Sequence, residues 1–125
     1  MKKKIGRERI FYIFMTLFVG VIIFLFSSVP NPEGGGAESI LSTIYHFGVF
    51  FMFAFFLSLS FKGGRLDRNT VLVVVLISLA YAISDEIHQI FVVGRFASVK
   101  DVVVDLIGSL SALLTLKIVS FYKKI

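Results

Sequence analysis

Four stretches of this chain are apolar almost without interruption, and its charged residues gather in the short segments between and beside them. The first runs from about Ile10 to Phe26 with no charge, and the second from about Ile40 to Phe61 with His46 as its ionisable group. A third runs from about Val71 to Val93 and a fourth from about Val99 to Phe121. Crossing roughly 30 Å of hydrocarbon takes about 20 predominantly apolar residues in a helix. The runs are continuous rather than alternating and longer than barrel strands, so the pattern predicts helices. The expected fold is an all-α, four-helix transmembrane bundle forming a single membrane domain over residues 1–125.

The connections carry the residues that stop helices: Pro30, Pro32 and Gly34 to Gly36, then Gly63 and Gly64, then Gly94. Lys and Arg are retained on the cytoplasmic side. They occur at Lys2, Lys3, Lys4, Arg7 and Arg9, at Lys62, Arg65 and Arg68, and at Lys123 and Lys124. The first connection has none, and the third has Arg95 and Lys100. Both termini are therefore expected in the cytoplasm of a multi-pass protein of the cell membrane, with 27–39 and 93–99 facing outward. A cleaved signal peptide is the competing reading of the first run. That run is long for a signal core and ends without an A-x-A site, so an uncleaved anchor is expected.

Composition agrees with this reading. Of 125 residues, 57% are hydrophobic and 17% charged, against roughly 25% charged in a soluble domain. A soluble enzyme, a disordered chain and a collagen-like repeat are excluded. The net charge of +5 reports topology here, and no nucleic-acid partner is expected. The absence of cysteine excludes disulfides, thiolate zinc sites and a cysteine nucleophile.

Charged groups at membrane depth are expensive and usually face a bundle interior or a wet cavity. Counting about 1.5 Å per residue, His46, Glu86 and Asp105 each lie about 9–10 Å in from the outer ends of their spans. Ser78, Tyr81, Asp85, His88 and Gln89 recur at three- and four-residue steps and share a face, while Glu86 points about 100° away. Asp101, Asp105, Gly108, Ala112 and Thr115 form a face of the fourth span, acidic at its outer end and small below, expected to pack against the third. Arg95, with Lys100, is the cation expected to answer these carboxylates. Simpler roles exist for single residues: an interhelical hydrogen bond for His46, a first-turn charge for Asp101, a loop charge for Arg95. They do not account for Asp85, Glu86 and His88 together inside one span.

The run Asp85-Glu86-Ile87-His88-Gln89-Ile90-Phe91, followed by Gly94-Arg95, Asp101 and Gly108, resembles the signature of the VanZ-like membrane proteins. That signature reads D-E-x-H-Q-x-F, an arginine, an aspartate, an asparagine four later and a glycine three after that. The early histidine of the second span, matched by His46, and the Ser27-Ser28-Val29-Pro30 turn are similar too. The chain departs from the pattern in placing Asp105 where asparagine is usual, and Ser42 and Thr43 where an Asp/Lys pair often precedes the histidine. The resemblance implies a cell-envelope protein and a link to resistance to teicoplanin, a lipid-tailed glycopeptide.

Together these point to an outward polar site that binds or modifies an amphiphilic envelope substrate: a lipid-linked cell-wall component or a lipoglycopeptide, beside membrane lipids. In an enzymatic form Asp85 or Glu86 acts as general base with His88 as its partner. His46, Gln89, Arg95, Asp101 and Asp105 then contact substrate. No cofactor is expected. A metal stays open, since His46, Asp85, Glu86, His88 and Asp105 include the nitrogen and oxygen donors that zinc or manganese accept, although no H-E-x-x-H helix is present. The alternatives are a small transporter, disfavoured by an uncharged first span, and a structural or assembly role. Four carboxylates in one layer cannot all stay ionised, and Asp105, the deepest on its face, is expected to hold a proton unless a bound cation supplies the missing charge.

Overall fold

The computed structural model describes residues 6–31, 40–61 and 65–124. Lys2 to Lys4, Pro32, Gly34 to Gly36 and Lys62 to Gly64, which entered the reading of topology and turns, lie outside them. The described residues form four helices, α1 (Arg7–Ser27), α2 (Ile40–Ser60), α3 (Arg68–Ile90) and α4 (Val99–Lys123). Each is long and apolar enough to cross a membrane, so the chain is an all-α, four-helix transmembrane bundle.

The ends of α3 differ from the hydrophobic pattern, and capping explains one of them. Asp67 accepts a hydrogen bond from the backbone N–H of Thr70 at 2.8 Å, which satisfies an orphan donor and starts the helix at Arg68 despite its charge. At the other end the helix stops at Ile90 and Phe91 is its C-cap. Glu86 is then four residues, or about 6 Å, from the helix end rather than 10 Å. Ser98 caps α4 by accepting from the N–H of Asp101 at 3.3 Å.

Helix α2 is the hub, packing most extensively against α4 and then α1, while α3 closes on α4. The interior mixes a few large side chains, with Phe50 fully buried and Ile23 and Val74 beside it, with many small ones: Ala54, Ser58, Ser78, Ala82, Ser109 and Ala112. Small residues let helices approach closely where lipid provides no hydrophobic drive between them. The closest approach is at Gly108, where an added Cβ would overlap the carbonyl of Phe47. The small face of α4 therefore packs on α2, correcting its expected placement on α3, and Thr115 at its lower end is exposed. Phe11, Phe14, Phe18 and Phe24 of α1 are each at least half exposed, forming an apolar outer surface fit for lipid rather than water.

Candidate functional site

The C-terminal ends of α1 and α3 and the N-terminal ends of α2 and α4 meet at one end of the bundle. Two connections fasten them. The N–H of Asn31 donates to the carbonyl of Val93 at 2.9 Å, and Gly94 lies against the Asn31 backbone with φ +75°. Only glycine fits there, because the backbone is left-handed and a Cβ would occupy the space of the Asn31 carbonyl. Arg95 then reaches back to α1, donating from Nε to Val29 O at 2.9 Å and from Nη2 to Phe26 O at 3.3 Å. These carbonyls lie at and just beyond a helix C-terminus, where a cation is also favoured by the dipole. Arg95 is thus bonded to backbone, a correction to its expected role as the counter-ion of the acidic residues.

His46 takes that place. Its Nδ1 donates to Asp105 Oδ1 at 2.9 Å, and its Nε2 lies 3.7 Å from Asp101 Oδ2. His46 is 6% exposed and Asp105 not at all. The spacing of Asp101 and Asp105, one helical turn, aims both carboxylates at one imidazole across the α2–α4 contact.

Asp85 and Glu86 approach from α3, and both are buried. Asp85 Oδ2 accepts from Gln89 Nε2 at 3.2 Å, one turn further along the same face. Glu86 Oε2 accepts from the N–H of Ser98 at 2.7 Å, tying α3 to the start of α4. Helical phase separates Asp85 from Glu86, yet both are buried, so the covered arc is wider than one face. The segment entering α4 extends that arc over Glu86. His88 turns to the opposite neighbour: its Nε2 lies 2.9 Å from Ser28 Oγ, and its ring stacks on Phe24 with centroids 4.7 Å apart. The expected pairing of His88 with Asp85 or Glu86 is replaced by this contact with α1, because residue 88 faces α1 where residues 85 and 86 face α2 and α4.

One donor atom from each of His46, Asp85 and Glu86 lies within 4.8 Å of the other two. Beside this trio is a polar cavity of about 90 Å³, whose lining includes Ser27, Ser42, Tyr45, His46, Asp85, Gln89 and Arg95. Tyr45 is a site residue that the reading of charges missed. Ser42, Tyr45 and His46 follow at three and four residues on α2, a spacing that places the serine and tyrosine on the histidine's own face. Tyr45 also lines an apolar groove of about 480 Å³ between α1 and α2, with Phe18, Ile22, Gly48 and Met52.

This arrangement belongs to a recognised sequence family, since the VanZ/LLP1 family model matches residues 10–120. The chain is a member of the VanZ/LLP1 family. No curated protein and no solved structure gives a match. In this VanZ/LLP1 protein the resemblance drawn from Asp85 to Gly108 falls on residues that join the helices at one end of the bundle. Gly108 brings α2 and α4 together, Asp105 holds His46 with Asp101 nearby, and Arg95 locks the α3–α4 connection to α1.

Proposed function

We propose that this VanZ/LLP1 membrane protein binds an amphiphilic component of the cell envelope, specifically a lipid-linked cell-wall precursor. The observation that carries the reading is the junction at Tyr45, where the polar cavity and the apolar groove share a wall. One amphiphile has the matching two-part chemistry, a charged headgroup next to a long apolar tail. The cavity suits a single charged group rather than a whole headgroup, with Arg95, Gln89, Ser27 and Ser42 as donors and His46 and Asp85 at its base. The groove has the volume usual for small-molecule sites, and between two lipid-facing helices it is open to a tail arriving from the bilayer. With both termini cytoplasmic, as the Lys/Arg distribution argues, the cavity faces outward. Action against teicoplanin, which the resemblance implies, follows from the same binding if the precursor is the molecule shared with the glycopeptide.

The test is binding of a purified lipid-pyrophosphate precursor to the protein in nanodiscs, followed by fluorescence of a labelled headgroup. Arg95→Ala at the cavity and Gly48→Leu in the groove are each expected to weaken binding at least tenfold. Among the described residues, nothing beyond its own stretch of helix comes within 4 Å of a Cβ added at Gly48, so a leucine there extends into the groove. Wild-type protein that does not bind, or two variants that bind like wild type, would overturn the proposal. A helix-locking role is the second reading, favoured by the interhelical bonds His46–Asp105 and Tyr81–Gly20. It predicts that binding falls only in variants that also lose stability.

A further inference from the structure

The buried acidic cluster has a feature that helix locking and headgroup binding leave unexplained. Glu86 is 5% exposed, and among the described residues its Oε1 has no hydrogen-bond partner, nor has Oδ2 of the fully buried Asp105. Unpartnered carboxylate oxygens in a buried position are costly, and buried carboxylates are normally paired or bound to a metal. Asp85, Glu86, Asp101 and Asp105 bring four acidic groups together around one imidazole, and the Arg95 guanidinium beside them bonds α1 carbonyls.

The imidazole itself is arranged as a metal ligand. Asp105 accepts the Nδ1 proton of His46 at 2.9 Å, which fixes the ring and leaves Nε2 with a lone pair. This carboxylate–histidine arrangement is the usual support behind a metal-bound histidine. Nε2 points toward the acidic side, with Asp101 Oδ2 at 3.7 Å, a separation too long for a hydrogen bond. Donor atoms of His46, Asp85 and Glu86 all lie within 4.8 Å of one another. Bonds of about 2.0–2.2 Å to a tetrahedral ion place its ligand atoms roughly 3.4 Å apart, so side-chain rotations that draw the three donors in by about 1 Å or more bring them onto a common centre.

We propose that His46, Asp85 and Glu86 bind one divalent transition-metal ion, with Asp105 as the positioning residue behind the imidazole. One nitrogen and two carboxylate oxygens are a donor set for zinc or manganese. Three protein ligands leave a coordination position free, and His46 and Asp85 also line the polar cavity, so the open side of the ion faces it. His88, bonded to Ser28, is outside the site. The ion supplies the positive charge that lets the surrounding carboxylates stay ionised, in place of a proton on Asp105.

The experiment uses the full chain in detergent, stripped with chelator and dialysed against zinc or manganese chloride alone, with bound metal counted by elemental analysis. One ion per chain is expected in wild type and in His88→Ala. Glu86→Gln, which keeps an oxygen for the Ser98 N–H, and His46→Gln are expected to lose the ion. Asp105→Asn should weaken binding by roughly 10- to 100-fold, the usual cost of removing such a supporting carboxylate. Thermal unfolding of wild type with and without metal gives a reading that does not depend on any variant folding, and a rise with metal is expected. Wild type that neither retains nor is stabilised by metal overturns the site, as does equal loss in His88→Ala and Glu86→Gln. The outcome is separable from precursor binding, because a chain that binds precursor but no metal refutes this proposal alone.

Discussion

Replacing Gly108 with alanine tests how the helix contact controls the site. Among glycines of the apolar helices, an added Cβ at residue 108 would run into the Phe47 carbonyl, with the carbonyl carbon and Cα of Phe47 also at 3.2 Å. These are backbone atoms, so no side chain can rotate away and α2 and α4 must separate, by on the order of 1 Å to restore normal contact. Overpacking of this kind costs about 1–3 kcal/mol. The same displacement acts on the site, because Phe47 follows His46 and Gly108 lies one turn from Asp105. A 2.9 Å bond between His46 and Asp105 stretched by that amount is lost, adding about 0.6–1.7 kcal/mol for an interhelical hydrogen bond. Gly108→Ala is therefore expected to destabilise the bundle by about 2–5 kcal/mol. Gly48→Ala is the control, since among the described residues nothing beyond its own stretch of helix lies within 4 Å of the added Cβ and it replaces glycine by the best helix former. Unfolding of both variants in mixed micelles, followed by circular dichroism against denaturing detergent, measures the difference. Equal stability of the two would refute the argument that the α2–α4 approach needs a glycine.

Two further variants probe the parts that hold this end of the bundle together. Gly94→Ala should cost more than about 2 kcal/mol, combining a left-handed backbone penalty of roughly 1–2 kcal/mol with the collision against Asn31; the same micelle titration checks it, and a silent substitution counts against the fastening of the two connections. Tyr81→Phe removes the hydroxyl that donates to the Gly20 carbonyl while keeping the ring stacked on Phe53 at 5.1 Å, so a loss of about 0.6–1.7 kcal/mol is expected in thermal unfolding, with no change in bound metal.

The bundle was legible because its signal is one of amount. Continuous apolar runs of the right length admit few structures in a membrane, and α1 to α4 fall where those runs predict to within three residues at each end, with both ends of α3 and the start of α1 shifted most. The cluster was legible in membership for a related reason: His46, Asp85, Glu86 and Asp105 are conspicuous because they are ionisable in an apolar context. Their partners were not legible. Helical phase fixes the angle between two side chains on one helix but not which helix stands opposite. The α4 face therefore went to α3 instead of α2, and His88 to the carboxylates instead of Ser28. Charge matching misled in the same way at Arg95, since a guanidinium beside four acids suggests an ion pair, whereas the carbonyls of Phe26 and Val29 at the end of α1 claim it. Backbone acceptors leave no trace in a list of charged residues. The consequence is chemical: with Arg95 tied to α1, His46 faces the two acids of α4 and approaches the two of α3. The oxygens left over on Glu86 and Asp105 among the described residues are where the proposed metal ion would add its charge.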